Sequence, residues 1–521
     1  MDRQNGLRGK VAIVGGGPAG LVVAKYLKEQ GFEPTLFEQS DSIGGQWNAR
    51  ASHSGVWPSM PTNTSRVMTC FSDFQHEPDT VVYPSEQEML SYLQRYAAHF
   101  DLMPHIRVRT RIELIERDSS GSGWMVRFVP EDGEPQMETF PYVIVASGRY
   151  NKPLIPPVPG LDSFSGPGGV THTFHYRDPE RYRGQRVLVA GGSISALEIA
   201  SDLAMHGRTP IVSTFRRQRY IFQKLLAGVP ADHVAFTRFA VLSAEVMPME
   251  SIAQGLKEFV LRTSGSPEQF GALRPADNVL EAGISLSQHY LPLVAEGHIV
   301  PKPWIGAVEG QTVRFVDGSV EQIDAIIFGT GYDLDVPFLS EEVRRTLDLD
   351  AHHIDLYKST FHPDLAGLAF LGLFELIGPY FPVLELQARW IAYTWSGVRP
   401  APSREEMEAG LTAYRARRGQ PQQQLMDMMA LLFAREAGVE PELHEWPEFA
   451  RALLFGPLAS TSFRLSGPDS LPEAAEHFAS DAMAFGAITS PEFTPDQRAP
   501  LEALIAARND VAIAEFVKQA T

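Results

Sequence analysis

The chain holds a single cysteine, Cys70, among 521 residues. Intramolecular disulfides, a CxxC dithiol and a thiolate zinc cage are thereby excluded by counting. Positive charge is short as well: 45 Lys+Arg stand against 63 Asp+Glu, a formal net charge of −18. That balance repels phosphodiester backbones and anionic lipid surfaces, so neither nucleic acid nor membrane is expected as a partner. Uninterrupted apolar runs of membrane-spanning length are missing too. The longest apolar stretch, residues 365–384, is broken by Glu375, Gly367, Gly372, Gly378, Pro379 and Pro382 and reads as buried core. An apolar strand, Val11 to Val14, is reached within ten residues and is too short for a signal-peptide core, and the expected address is cytoplasmic.

What is present is ordinary globular material, 44% hydrophobic and 21% charged with mean hydropathy −0.13. At roughly 150 residues per domain, the length implies about three to four domain-sized units. The segment KVAIVGGGPAGLVVAKYLKEQGFEPTLFEQ runs from an apolar strand through Gly15-Gly16-Gly17-Pro18-Ala19-Gly20 into an amphipathic helix reaching about Gln30, then into a second strand ending at Glu38. Gly15 permits the tight turn, Gly17 lets a pyrophosphate approach the backbone, and Gly20 allows helix to pack closely on strand. Glu38 lies 23 residues after Gly15, where a carboxylate can accept ribose hydroxyls. That suits the adenosine half of FAD or NAD.

A second unit lies at RVLVAGGSISALEIASDLAMHGRTPIVSTFRRQR, with a strand from Val187 to Ala190 and another ending near Ser213. Gly191 is kept, but Ser193 and Ala196 stand where the second and third glycines belong. The unit ends in Arg216, Arg217 and Arg219 instead of an acid. Such a cluster can receive a 2′-phosphate and favours NADP over NAD, the competing reading being a solvated basic loop. Two units in one chain suggest a cofactor that stays and one that delivers hydride to it. The strand-glycine segments YVIVASGRY and DAIIFGTGYD, 142–150 and 324–333, fit the same plan.

This string of motifs resembles the class B flavin-containing monooxygenases over nearly the whole chain. GGQW, Gly44 to Trp47, is similar to the family's flavin-contacting GGxW. Met60 to Phe74 resembles its Asn-containing flavin segment, and FGTGY, Phe328 to Tyr332, resembles its FATGY element. ELQARW and LLFGPLASTSFRLSG are similar to its C-terminal part. The family signature F-x-G-x-x-x-H-x-x-x-[YF] is matched at its ends by Phe164, Gly166, His172 and Tyr176. The interval between Gly166 and His172 is two residues too long.

The resemblance implies an α/β fold of two Rossmann-like dinucleotide-binding domains, the NADP domain inserted into the FAD domain, with a helical C-terminal extension. The expected limits are 1–165 and 330–521 for the FAD domain, mostly helical over 400–521. The NADP domain is expected over 166–329, with a helical insertion around 220–300. The C-terminal part from Leu501 reads as an amphipathic surface helix. The implied activity is NADPH- and O2-dependent: NADPH reduces FAD, O2 forms a C4a-hydroperoxyflavin, and that species oxygenates a small amine or sulfide at its soft nitrogen or sulfur. The alternatives are Baeyer-Villiger or N-hydroxylating chemistry by the same intermediate, or an uncoupled NADPH oxidase. Family habit also implies a homodimer.

The implied cofactor contacts are Gly15, Gly17, Pro18, Ala19, Gly20, Glu38, Gln46, Trp47, Thr62 and Asn63 on the FAD side. Tyr176, Gly191, Ser193, Ser195, Ala196, Arg216, Arg217, Thr330 and Gly331 complete the set. Asn63 is the candidate catalytic residue, because a neutral amide donates a hydrogen bond to a flavin peroxide without offering an acidic proton. Two readings compete: an Asn in a turn beside Pro61 and Thr62, the stronger of the two, and a glycosylation sequon at Asn63-Thr64-Ser65, which the expected lack of a secretory signal disfavours. His172 is expected to make a structural hydrogen bond. The His352-His353 pair has no metal-ligand spacing around it and is expected on a surface loop; no metal is expected. Cys70 is expected to be a small buried hydrophobe.

Overall fold

The computed structural model describes residues 8–58, 60–207, 209–420, 423–508 and 511–519; the expected outer limits at residues 1 and 521 lie outside them. The first glycine-rich unit folds as strand β1 (Lys10–Val14), helix α1 (Pro18–Glu29) and strand β2 (Glu33–Phe37). β1 pairs in parallel with β2, Val11 opposite Pro34, and on its other side with Tyr142–Val145. The short strands Ile106–Arg107 and Leu368–Phe370 close the two edges of a five-stranded sheet. Val11, Ala12, Ile13, Val143, Ile144 and Val145 have no exposed surface. That is why they read as unbroken apolar runs: a parallel sheet is covered on both faces.

The second unit repeats the scheme. Val187–Ala190 lies between Ile211–Thr214 and Ala325–Phe328, with Ile299–Lys302 and Gly169–His172 at the edges, all parallel. The chain passes between the two sheets in two antiparallel crossings, where Pro153 pairs with Tyr332 and Lys152 with Asp333. The two-residue expansion of the linker signature is absorbed in the turn 166–169. There Gly169, at φ +70°, donates its N–H to the Gly166 carbonyl, and His172 then pairs opposite Phe328.

The expected helical insertion around 220–300 forms helices at Arg238–Ala244 and Met249–Ser264, but it ends sooner than expected. The helix Tyr290–Ala295 packs on helix α3 (Ile194–His206), and Ile299–Lys302 is an edge strand of the second sheet. Pro301 within that strand masked it: proline cannot donate to a ladder and is tolerated only at an edge.

The C-terminal region is helical, including Phe381–Ser396 on α1, Met426–Ala437, and Pro495–Arg508 with Leu501 and Leu504 buried. Arg464 ties it to α1 and to the segment 72–73, donating to the Tyr26 hydroxyl at 2.5 Å, to Ser72 Oγ at 2.6 Å and to Asp73 at 2.8 Å. Among the described residues no helix is long and apolar enough to cross a membrane.

Candidate active site

At the end of β1, Gly15 takes φ +110°, and a Cβ there would lie 2.5 Å from the Ala146 carbonyl oxygen. Gly17 precedes α1, and Pro18 opens its first turn with Ala19 behind it. No side chain caps this helix and no acidic residue occupies its first turn. The contrast is with helix α2 (Glu86–His99) and with Arg404–Arg415, which carry the capping boxes Ser85/Glu88 and Ser403/Glu406 and acidic first turns. The free N–H groups and positive dipole end of α1 are therefore left for an anion.

Glu38 stands at the far side of the cradle. Its buried carboxylate accepts N–H groups from Gly16 at 2.7 Å and Ser40 at 2.8 Å. The Gly44-Gly45 turn closes over the cradle: Gly44 donates to the Gly16 carbonyl at 2.9 Å, and a Cβ on Gly45 would come within 2.8 Å of Gly17 Cα. The Gln46 amide holds this loop by bonding the His53 and Tyr150 carbonyls and the Gly55 N–H. Trp47 packs on the apolar core built around α1.

The second cradle repeats the geometry with other residues. Gly191 sits at φ +145°, where a Cβ would lie 2.2 Å from the Gly329 carbonyl oxygen. Ser193 precedes α3 without capping it, the first turn is free of acid, and Ser193 and Ser195 are exposed. Ala196 replaces the third glycine because its neighbour has given way: a Cβ on Gly329 would lie 2.8 Å from Ala196 Cβ. The small-residue requirement is thus shared between helix and neighbouring strand end.

Arg216 and Arg217 follow Ile211–Thr214, both exposed, and neither has a carboxylate within ion-pair distance among the described residues. Arg216 lies over the Trp304 ring at 5.1 Å. Behind them Arg219 is held below the usual guanidinium range by burial and then by the Arg217 charge.

Asn63 lies on a turn between two apolar cores, the first built around α1 and the second around α3. Trp57 belongs to the second core and Met60 packs against it, while Val67 and Met68 belong to the first. Thr62 is buried, its N–H bonded to the Pro84 carbonyl and its hydroxyl to the Thr64 carbonyl. The Asn63 side chain is half-buried and has no hydrogen-bond partner among the described residues.

At the crossings, Thr330 donates to the Leu154 carbonyl at 2.5 Å and Gly331 accepts from the Leu154 N–H. His172 Nδ1 accepts the Phe174 N–H at 3.1 Å, the structural bond expected of it. Burial pushes His172 down to about 4, so at neutral pH it offers no charged proton donor. Cys70 is buried, and burial raises its thiol well above the usual range.

Two expectations are corrected. Tyr176 is 1% exposed, with its hydroxyl donating to Asp202 at 2.5 Å and its ring edge-on to Trp57. Its side chain supports the linker from within the core and presents no surface to a cofactor. His353 is not on a surface loop: its Nε2 lies 2.6 Å from Asp355 and its ring stacks on Tyr414, so only His352 is exposed.

Sequence reading missed Gly329, whose small size the FGTGY segment does display, and also missed Asp232 and His233. These reach the Asn63 turn from 167 and 168 positions away, and no local pattern announces them.

Two uncapped, acid-free helix N-termini, each fed by a strand-glycine turn and one flanked by unpaired arginines, fit two dinucleotide pyrophosphates. The chain matches the sequence model of the flavin-binding monooxygenase-like family over residues 8–480. It is 32% identical over 483 residues to the rat protein "Dimethylaniline monooxygenase [N-oxide-forming] 2", covering 88% of this chain and 89% of that one. It is 31% identical, with the same coverage, to human "Flavin-containing monooxygenase 2". Among solved structures, S-allyl-L-cysteine S-oxygenase from Allium sativum shares the fold at TM-score 0.61 and 24% identity, covering 97% of this chain and 99% of that chain. Cyclohexanone monooxygenase with bound epsilon-caprolactone does so at TM-score 0.62 and 19% identity, over 82% and 98%. The chain is an enzyme of the flavin-binding monooxygenase-like family, dependent on FAD and NADPH.

Proposed function

We propose that the enzyme oxygenates a small amine or sulfide, with FAD on the first cradle and NADP+ or NADPH on the second. FAD supplies the redox chemistry that links NADPH and O2 to oxygen transfer; the chain's residues bind, orient and shield. Gly15, Gly17 and the start of α1 hold the FAD pyrophosphate, and Glu38 faces its ribose. Gly191, Ser193 and Ser195 hold the NADP pyrophosphate, with Arg216 and Arg217 on the 2′-phosphate. On this reading the FAD domain comprises residues up to 165 and from 330, and the NADP domain 166–329.

The observation that carries the reading is the Asn63 amide, half-buried and unpartnered on a turn shared by both cores. A neutral amide donates to developing negative charge without delivering an acidic proton. Kinship at 32% identity with an N-oxide-forming monooxygenase supports nitrogen as an acceptor.

The test offers N,N-dimethylaniline, a dialkyl sulfide and cyclohexanone in turn, measuring oxygenated product and H2O2 per NADPH. N-oxide or sulfoxide formation is expected. Conversion of the ketone alone, or H2O2 in place of product with all three, overturns the reading. Asn63→Ala is expected to keep FAD and NADPH oxidation while product per NADPH falls about 100-fold, the scale of losing one preorganised donor; undiminished product would remove the role.

A further inference from the structure

The segment 220–300 makes an unusual contact. Ser65 lies two residues beyond Asn63, yet its backbone N–H is not bonded within its own segment. It donates to Asp232 Oδ2 at 2.5 Å, across 167 residues of chain. The Ser65 hydroxyl lies 3.2 Å from Nε2 of His233, next door on the same helical turn, Asp232–Ala235. Asp232 and His233 are both buried; Asp232 Oδ1 and His233 Nδ1 have no hydrogen-bond partner among the described residues, His233 Nε2 lying 3.9 Å from Oδ1. A carboxyl buried this deeply, with one oxygen lacking a hydrogen-bond partner, is costly for stability alone. Its retention at this contact points to a task there.

The helical turn that carries Asp232 is held from two sides. Upstream, the Lys224 carbonyl accepts the Ala231 N–H at 2.8 Å and the Tyr83 hydroxyl, while Lys224 Nζ lies 3.8 Å from Glu198 of α3, the helix that starts at the second cradle. Downstream, Arg238 pairs with Glu440 and Phe239 stacks on Phe455 at 4.6 Å, bolting the insertion to the C-terminal helices. Asp232 therefore has little freedom of its own, and Ser65 is presented with a fixed acceptor.

We propose that Asp232 is a positioning residue: by accepting the Ser65 N–H from the rigidly held insertion, it sets the pose of the turn that carries Asn63. The insertion, rather than the first sheet, then decides where the Asn63 amide points. This rests on the role of Asn63 given above.

The test compares Asp232→Ala, Asp232→Asn and Asn63→Ala as FAD-loaded enzymes, with hydrogen exchange of segment 60–69 read alongside turnover. Asp232→Ala is expected to lower product per NADPH at least tenfold, with H2O2 rising to match and the KM for NADPH within about twofold of wild type. Exchange should accelerate in 60–69 while α2 and Ala325–Phe328 keep their protection. Asp232→Asn, whose amide oxygen can still accept the Ser65 N–H, is expected to restore both readouts to within about twofold.

Should Asp232→Ala not yield folded protein, Ser65→Pro takes its place. Ser65 sits at φ −64°, a value proline adopts, so that variant removes the donor with little backbone strain; because it also deletes the hydroxyl that accepts the Met68 N–H and faces His233, Ser65→Ala is run beside it and the hydroxyl's share is subtracted. The same two changes are expected. Wild-type coupling and protection in Asp232→Ala or Ser65→Pro, beside an uncoupled Asn63→Ala, would overturn the proposal and leave the functional reading standing. Wild-type coupling in Asn63→Ala as well would overturn both.

Discussion

Replacing Arg216 and Arg217 together by alanine should convert an enzyme selective for NADPH into one nearly indifferent to the 2′-phosphate. Both guanidinium groups are exposed and lack a carboxylate partner among the described residues, so removing them leaves no buried charge behind. Surface changes of that kind usually cost within about 0.5 kcal/mol of stability. A hydrogen bond to a charged group contributes about 1.5–3 kcal/mol; at an exposed site the lower figure applies, giving about 3 kcal/mol for the pair. At 1.4 kcal/mol per tenfold, binding of NADPH should weaken about 100-fold. NADH has no 2′-phosphate and should be unaffected to within about twofold. The Arg216 contact with Trp304 gives that side chain a preset orientation, so Arg216→Ala alone should cost at least as much as Arg217→Ala.

The assay is the apparent KM for NADPH and NADH in wild type and the three variants, repeated from low to high salt. Screening at about 10 Å in 0.1 M salt should erode the wild-type preference and leave the double variant flat. Equal losses for both coenzymes would refute the assignment and favour a merely solvated basic loop.

Gly20→Ala would place a Cβ 1.9 Å from the Gly15 carbonyl oxygen, so α1 must move off the sheet; loss of retained FAD absorbance and a lower Tm are expected, and normal values for both would refute the packing argument. Gly329→Ala should destabilise by about 1–3 kcal/mol through its clash with Ala196. Adding Ala196→Gly should recover about half of that in denaturant unfolding, whereas strictly additive losses would deny the shared small-residue pair. Burial raises the Asp427 carboxyl from 3.8 to about 6. The folded state therefore holds a proton that the unfolded chain has released, and the associated stability is complete below about pH 4 and lost as pH rises through about 6. Asp427→Asn should gain up to about 3 kcal/mol on wild type at pH 7–8 and nothing at pH 4, in urea unfolding at each pH. A constant difference across that range would contradict the burial effect.

How far the sequence could be read differs by element. The glycine-rich units were legible to within about a residue or two, because a strand buried on both faces must be continuously apolar and the turn after it must be small. The second turn, with Ser193 and Ala196 in place of glycines, was recognisable from its strand and helix, but its remedy at Gly329 became clear only when the two segments were seen in contact. Ile299–Lys302 escaped notice because a four-residue edge strand containing proline has too little pattern to distinguish it from a loop. Tyr176 and His353 were misplaced for a shared reason: polar rings have no sequence periodicity that tells a hydrogen-bonded core position from an exposed one. Within the candidate site, the strand-glycine turns of both cradles were legible, Asn63 was singled out by resemblance and side-chain chemistry, and the contact made by Asp232 was not legible.

The amino-acid sequence alone determined where the two nucleotide cradles start, which ends in an acid and which in arginines, and the absence of intramolecular disulfide and dithiol chemistry. Those features depend on neighbours a few positions apart, whose steric and charge requirements act locally. Folding in three dimensions decided that the Asn63 turn lies between two cores, that Tyr176 turns inward, and that an insertion from the second unit grips Ser65. These outcomes depend on contacts spanning more than a hundred residues, selected by packing and by the need to satisfy buried polar groups, and such requirements arise only once the chain is compact.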